Sequence, residues 1–457
     1  MSAVRIPIKL YKQTVEHLFG SPGEHFAFYF ANFTYSKGEP VFLVKDLICI
    51  PEDETNPGWD GYEVNIEGIL RVVNQAVEND HCLIEIHNHG GSAPRFSRVD
   101  NEELGPFVEY IHKSLPNKPY GATVWGDKEV FGRYFLPDGS SGDIRSIVVF
   151  GDDFFEQIAS VSRNINYSKR YSRQEVWFAN GGQQQFGNLR IGIAGVGGTG
   201  SHVVQQLAYL GCKDFVFIDD DIVEETNLNR LVIAENADIG LPKAYLAQQM
   251  VMNINPDAKT HTVVEKIQSA VAIDILKGVD IIFGCVDNDG ARLIMNELAL
   301  AYHIPYIDLA TGITVENEKI VEAGGRVAFV TTKGPCLLCM DEIDRSEAAF
   351  FLSDDEDQVE QLDRGYITGV DAKSPSVVSL NGTIASLSIN ELIIFLSGLR
   401  SIQTMFSVDL LGRGRTGKRQ YISPRITKRR PGCVHCTLAG AGDESRIERY
   451  GRKKEAG

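Results

Sequence analysis

Residues 189–218 constrain the fold more than any other stretch of this chain. A short apolar run at 189–194 gives way to Gly195-Val196-Gly197-Gly198-Thr199-Gly200. A helical pattern at 201–210 follows, and then a second apolar run at 215–218. A buried strand, a glycine turn and a helix in that order begin a parallel crossover. Residues 280–284 and 304–309 are further strand-like runs. Strands alternating with helices predict an α/β fold with a Rossmann-like, doubly wound parallel sheet. The turn also has a chemical use. Glycines let the backbone approach a phosphate, and the helix start adds N–H donors and positive dipole charge. Alone, the turn suits a dehydrogenase as well as an ATP enzyme. Asp219-Asp220-Asp221 ends the second strand, where an acid can hold a ribose hydroxyl, and this also fits either chemistry.

With 457 residues the chain is long enough for two domains and a small appendage. The first 150 residues mix strands and helices. Residues 25–33 alternate like a strand, 82–87 read as another, and 64–77 put Ile66, Ile69, Leu70, Val73 and Val77 on one helical face. A turn-rich stretch at 136–143 precedes the boundary. Three regions are expected: an α/β domain over 1–150, the nucleotide-binding domain over 165–410, and a small lobe over 411–457. A net charge of −16 argues against nucleic-acid or acidic-membrane partners. The acidic stretch 341–363 and the basic stretch 413–430 read as solvated surface. The N-terminus lacks a signal-peptide pattern, and the apolar run near 392–399 is too short to span a bilayer, so a cytoplasmic protein is expected. Eight cysteines in such a chain point to metal ligation or chemistry rather than disulfides.

The companions of the glycine turn narrow its use. Thr226-Asn227-Leu228-Asn229-Arg230 follows the acidic strand end, then Gly240-Leu241-Pro242-Lys243 and Ile254-Asn255-Pro256. Asp287 lies just past the strand at 280–284, with Arg292 and Asn296 on the next helix, and Arg170-Tyr171-Ser172-Arg173-Gln174 stands upstream. These motifs, in this order over roughly residues 165–400, resemble the ThiF/MoeB superfamily, which includes the ubiquitin-activating enzymes. The resemblance implies ATP-dependent adenylation of a C-terminal carboxylate. It counts Gly195, Gly197, Gly198, Gly200, Asp219, Asp221 and Asn227 with the nucleotide site and assigns Asp219 to the ribose. Arg230 and Lys243 go to the phosphates, Asp287 to Mg2+, and Arg173 becomes a finger reaching across a homodimer. The residue types suit the chemistry, because attack on the α-phosphate builds negative charge that cations must stabilise. Taken singly, an Arg or Lys is more simply half of a surface ion pair.

Cys336-x-x-Cys339 and Cys433-x-x-Cys436 each have zinc-knuckle spacing, although the gap between them is far longer than in a compact ribbon. Spacing alone leaves two unrelated pairs open. The same resemblance implies one tetrahedral structural Zn2+ held by all four, pinning the C-terminal lobe to the adenylation core.

In the first domain, His87-Asn88-His89 is followed by seven residues, Ser97, two residues and Asp100. Two His at alternate strand positions and an Asp on the next helix can leave a zinc with an open position for water. This spacing resembles the JAMM metalloprotease motif, with Asn88 and Gly90 departing from it at positions that are not ligands. The resemblance implies a catalytic zinc on His87, His89 and Asp100, Glu24 as base and Ser97 on the oxyanion. An inactive relative of the fold is the rival reading.

A JAMM-like peptidase fused to an adenylation domain makes chemical sense, since trimming a ubiquitin-like or sulfur-carrier protein exposes the terminal glycine that is then activated. The rivals are adenylation of a peptide or small acid in natural-product synthesis, and a non-catalytic platform. The segment expected to carry an acyl-accepting cysteine, near 363–387, contains none. Cys49 and Cys82 belong to the first domain, and Cys212 and Cys285 sit in apolar contexts typical of inert thiols. The acyl-adenylate is therefore expected to pass directly to a conjugating enzyme or sulfur donor.

Overall fold

The computed structural model describes residues 2–57, 62–89, 94–126, 129–151, 155–159, 169–178, 182–353, 375–412, 421–445 and 447. The chain divides into two compact units, Met1–Asn166 with Gly440–Gly442 and Tyr167–Ala439 with Asp443–Gly457.

The first unit runs β1 (Ala3–Pro7), α1 (Ile8–Phe19), β2 (Phe26–Ser36), β3 (Glu39–Cys49), β4 (Thr55–Pro57), β5 (Tyr62–Val64), α2 (Ile66–Glu78), β6 (Cys82–Asn88), α3 (Arg98–Ser114), β7 (Tyr120–Trp125), β8 (Val130–Phe135), β9 (Ser141–Asp143), β10 (Ser146–Phe150) and β11 (Phe155–Ala159). Among the described residues its main sheet has the order β11-β10-β1-β3-β2-β6-β7-β8-β9. Side chains alternate across it as a period of two requires. Ala27, Tyr29 and Ala31 join Ile84 and Ile86 on the face covered by α1. Phe28, Phe30 and Leu83 join Tyr120 on the face covered by α2 and α3.

Helix α2 buries only part of the expected stripe. Val73 is buried and Ile69 packs on the core, but Gly68, Val72 and Ala76 also face inward, whereas Ile66, Leu70 and Val77 are exposed. Small residues decide the rotation. A Cβ on Gly68 would lie about 3 Å from Val64 and Glu54, so the helix turns its smallest residue toward that contact.

The second unit begins with α4 (Gly182–Asn188) and continues through β12 (Arg190–Ala194), α5 (Gly198–Leu210), β13 (Asp214–Ile218), α6 (Lys243–Ile254), β14 (Lys259–Val263), α7 (Ala270–Lys277), β15 (Ile281–Gly284), α8 (Asp289–Ala301), β16 (Tyr306–Glu316), β17 (Lys319–Val330), α9 (Leu337–Met340), α10 (Arg345–Leu352), α11 (Val378–Ser397), β18 (Met405–Asp409) and β19 (Ile422–Pro424). Its sheet has the order β14-β13-β12-β15-β16-β17-β18-β19. Strands β14 through β16 are parallel, as a doubly wound sheet requires. The parallel expectation needs correction beyond β16, where β17, β18 and β19 are antiparallel. A tight hairpin with Asn317 and Glu318 at positive φ reverses the chain there. The segment after 411, expected as an appended lobe, contributes β19 to this sheet and, apart from Gly440–Gly442, counts with the second unit.

The apolar run near 392–399 also extends further than the sequence reading allowed. It lies in the 20-residue α11, which by length and composition could cross a membrane. Here Leu380, Ile384, Leu392 and Phe395 are buried, and Phe395 packs on Phe329 with ring centroids 4.9 Å apart.

The sheet order reverses direction at β12, whose neighbours are β13 and β15. Ligands bind α/β sheets at such switch points, and the turn at 195–200 occupies this one. Gly195 has φ +83°, and a Cβ there would lie 2.5 Å from the Cys285 carbonyl oxygen. Gly195→Ala is expected to cost about 2 kcal/mol or more of stability. Gly197→Ala, which meets no atom within 4 Å, should cost under about 1 kcal/mol. Denaturant midpoints followed by circular dichroism check the difference; equal losses would contradict the close approach.

Candidate functional site

At the switch point, the turn leads straight into α5, whose first N–H groups and dipole face the same space. The Val196 N–H donates to Asp219 Oδ2 at 2.5 Å, and the Asp221 N–H donates to Asp219 Oδ1 at 2.9 Å. Burial pushes the Asp219 carboxyl up to about 6, against the pull of Lys243 and the Val196 N–H. Lys243, buried at the start of α6, puts Nζ 2.6 Å from Asp221 Oδ2. Arg230 lies over the turn: its Cδ would be 3.3 Å from a Cβ on Gly198, and Nη1 donates to the Thr226 carbonyl at 2.6 Å. Asn227 is buried and accepts from the Glu224 N–H, which fixes the turn before Arg230. Asp287 is exposed three residues past β15, and Arg173 is exposed in the turn at 172–174. The structure thus gathers the 195–200 turn, Asp219, Asp221, Arg230 and Lys243 through direct contacts.

Several motif residues build this site rather than face it. Arg170 and Tyr171 both hydrogen-bond Asn255 Oδ1, which joins two of the separated motifs. Arg292 donates from Nη2 to the Val286 carbonyl at 2.9 Å and so shapes the backbone beside Asp287. Asn296 accepts from the Leu337 N–H and anchors the first cysteine pair.

The sequence reading missed Asn381. It is 1% exposed on α11, with Oδ1 3.1 Å from the donating Thr311 hydroxyl and 3.5 Å from that of Thr199. A Cβ on Gly198 would come within 2.3 Å of its Nδ2. Asn381 therefore explains why Gly198 is glycine. An isolated Asn far downstream carries no local signal of that contact.

The four cysteines meet. Cys336 Sγ lies 3.8 Å from Cys433 Sγ, Cys339 Sγ lies 3.7 Å from Cys436 Sγ, and all four fall within 4.8 Å of one another. Thiolates about 2.3 Å from one tetrahedral Zn2+ stand about 3.8 Å apart, so the donor set fits that ion. The spacing is far too long for a disulfide.

A second donor cluster lies in the first unit, where His87, His89 and Asp100 also place ligand atoms within 4.8 Å. Asp100 Oδ2 is 3.2 Å from His89 Nε2 and 3.7 Å from His87 Nε2. Both ring nitrogens of His87 are buried without a hydrogen bond. Glu85 Oε1 is 3.3 Å from His87 Nδ1, close enough for attraction but not aligned for a bond. Burial alone would lower the His87 pKa, yet Asp100 and Glu85 hold it up at about 9. Burial likewise opposes ionisation of Asp100, and contact with the two histidines drives its pKa well down. A site that holds a proton this way suits a cation in its place. Ser97 is the N-cap of α3, accepting from the Asp100 N–H at 3.1 Å while Asp100 Oδ2 accepts from the Ser97 N–H.

Glu24 stands just before β2, in which Phe26 pairs with His87. Asn88, read from the sequence only as a departure, accepts from the His25 N–H at 2.7 Å and donates to the Gly23 carbonyl at 3.1 Å. It ties both neighbours of Glu24 to the end of β6.

Residues 171–434 match the ThiF family model. The chain belongs to the ThiF family. Among ThiF-like relatives, it is 30% identical over 173 residues to the SAMP-activating enzyme E1 of Haloferax volcanii, covering 37% of this chain and 61% of that one. It is 28% identical over 282 residues to the adenylyltransferase and sulfurtransferase UBA4 of Yarrowia lipolytica, covering 61% and 63%. The chain thus spans about three-fifths of the length of these curated relatives. A crystal structure of E. coli MccB with succinimide aligns at 21% identity and TM-score 0.45, covering 59% and 75%. The segments at 354–374 and 413–420, with the acidic run and the first part of the expected cysteine-free crossover at 363–387, lie outside the described residues of this ThiF chain. Cys212 is buried, and burial raises the thiols of both Cys212 and Cys285 well above the usual range.

The raised Asp219 pKa gives a pH test. Above about 6 the carboxylate is ionised and can accept from ribose hydroxyls; below it the group is protonated. If Asp219 holds the ribose, as its family resemblance implies, ATP affinity should fall several-fold from pH 7 to pH 5, in excess of any fall for 2′,3′-dideoxy-ATP. Parallel losses for both nucleotides by calorimetry would remove Asp219 from the ribose.

Proposed function

We propose that the second unit uses ATP to adenylate the C-terminal carboxylate of a ubiquitin-like or sulfur-carrier protein. The observation that carries this reading is the convergence of Asp219, Lys243 and Arg230 on the 195–200 turn at the switch point of the sheet. Asp219 accepts the ribose hydroxyls, and the turn and α5 start hold phosphate oxygens. Lys243 and Arg230 face the charge that grows on the α-phosphate. A carboxylate oxygen bonds to the α-phosphorus, the bond to the bridging oxygen breaks, and pyrophosphate leaves. Asp287 would hold Mg2+, which supplies charge neutralisation for the departing pyrophosphate. The names of the relatives, an E1 for SAMP and an adenylyltransferase, favour a protein substrate. Cys336, Cys339, Cys433 and Cys436 would hold a structural Zn2+. With Cys212 and Cys285 both raised by burial, the acyl-adenylate goes directly to a separate acceptor, a conjugating enzyme or sulfur donor.

The measurement is carrier-dependent exchange of label between pyrophosphate and ATP, with a ubiquitin-like protein ending in glycine as carrier. Lys243→Ala and Asp287→Asn should each lower exchange by 100-fold or more, on the order of what losing one transition-state contact costs. Full exchange in both variants would end this assignment. On this reading the exposed Arg173 completes the partner's site in a homodimer. Mixing Arg173→Ala with Lys243→Ala chains should then restore part of the exchange, because one site per mixed dimer is whole.

A second reading applies to the first unit, on the convergence of His87, His89 and Asp100. We propose that this is a JAMM-like peptidase site that trims or releases the same carrier. His87, His89 and Asp100 would hold Zn2+, which supplies an acidified water. Glu24, whose neighbours Gly23 and His25 Asn88 ties to β6, would act as the base and return the proton to the leaving amine as the C–N bond breaks. Ser97 retains its hydroxyl proton for the oxyanion while its oxygen caps α3. Glu24→Gln is expected to retain two zinc equivalents per chain by elemental analysis and to lose cleavage of a carrier bearing a C-terminal extension. A single zinc, held only by the cysteines, would mark the first unit as an inactive relative.

A further inference from the structure

The strand register places another charged group on the face that carries His87. Residues His87, Val124 and Phe131 stand in one row across β6, β7 and β8, and Glu85, Ala122 and Arg133 stand in the next. Residues two apart on a strand share a face, so Arg133 looks out on the same side as His87, two strands away, or roughly 10 Å. Its guanidinium carbon lies 5.0 Å from the Phe96 ring centroid and 5.7 Å from that of Phe131. Phe96 in turn meets His87 edge-on, with centroids 6.2 Å apart.

Arg133 is half-buried, and Nη1 donates to Asn101 Oδ1 at 2.6 Å. Asn101 directly follows Asp100. Asp143 stands opposite Arg133 in β9, yet among the described residues no carboxylate lies within ion-pair distance of Arg133, and Nε and Nη2 donate to none of them. A guanidinium stacked on rings has a fixed plane, and its unused N–H edge matches a carboxylate. Glu63, Glu85, Asp100 and Glu103 stand near by, together with the histidines of the donor cluster. Burial raises the Glu103 carboxyl, and Glu63, Asp100 and Glu85 raise it further. Away from the donor cluster, Glu63, Glu85 and Glu103 repel a substrate carboxylate, and Arg133 attracts it.

We propose that Arg133 is a specificity-determining residue of the first unit, which receives the free C-terminal carboxylate of a short tail beyond the scissile bond. The assignment rests on the peptidase reading of His87, His89 and Asp100. An extended chain advances about 3.3 Å per residue, so a tail of two or three residues spans the distance from the donor cluster to Arg133. The first unit then removes a short, free-ended extension, and the new terminal carboxylate is the group the second unit activates.

The test uses the full chain carrying Glu24→Gln, without nucleotide, and three fluorescein-labelled peptides that share one sequence ending in Gly-Gly-Ala-Ala. One has a free carboxylate, one a C-terminal amide, and one an amide with Glu as its last residue. Fluorescence anisotropy should show the free acid binding on the order of 10- to 100-fold tighter than the amide, the range of a charged hydrogen bond. Arg133→Met should lower that preference on the order of 10-fold or more and leave affinity for the amide unchanged. Any affinity of the second unit for terminal carboxylates is common to both proteins, so the readout is the part of the preference lost between parent and variant. Arg133→Lys, which retains charge and stem, should keep part of the preference and covers the case in which the Met variant unfolds. A preference of undiminished size in Arg133→Met overturns the proposal, and so does tighter binding of the Glu amide than of the free acid. A preference lost in Arg133→Met, with no cleavage of any peptide by the zinc-loaded parent, upholds the carboxylate subsite and refutes the peptidase. Cleavage of acid and amide at equal rates, with equal affinities, upholds the peptidase and refutes Arg133.

Discussion

The nucleotide end of the second unit depends on two backbones meeting where β12 and β15 stop. Gly195 sits against the Cys285 carbonyl with no room for a side chain, and Gly200 sits equally close to the Gly195 carbonyl. That closeness lets the turn fold back so that the Val196 N–H reaches Asp219 and α5 starts at the sheet edge. Asp287 follows two residues after Cys285, so the same contact sets where its carboxylate begins. A methyl group at either glycine would separate the acid, the turn and the helix dipole together.

A buried charge cluster extends this order toward the cysteines. Asp308 is fully buried between Arg326 and Arg292, and Tyr306 donates to it at 2.6 Å. Arg326 and Arg425 both reach Glu342, three residues past Cys339. Such clusters add little net stability over a well-packed apolar core, but losing one member strands a buried charge at a cost of about 3–5 kcal/mol. Their effect is to fix register. The strand carrying Asp308, the hairpin arm carrying Arg326 and the segment after the first cysteine pair cannot slide separately.

Much of the second unit was legible in the sequence because its signals are local. Strands at 190–194, 214–218 and 281–284 read directly as apolar runs, and the turn between strand and helix is written in glycines. The antiparallel half was not legible, since Asn317-Glu318 makes a tight reversal without the glycine that usually announces one. In the first unit, the stripe on α2 was misread because hydrophobicity favoured Ile66 and Leu70, whereas close packing favoured Gly68 and Ala76. The donor residues at 87, 89 and 100 were readable from spacing. The groups that place them were not, because Asn88, Asn381 and Arg133 act through strand register and through contacts distant in sequence.

Asp100 serves two ends with one oxygen. Its Oδ2 accepts from the Ser97 N–H at the start of α3 and also faces both histidines. A helix cap of this type stabilises by about 1 kcal/mol regardless of any chemistry. Over evolutionary time, a lineage that abandoned hydrolysis would still be selected to retain Ser97 and Asp100, since drift at either would fray the helix. Neither residue is then a witness to activity in such a lineage. The histidines are the better record, because His87 is buried with both ring nitrogens unbonded, a burden that a chain relieved of its metal has every reason to shed.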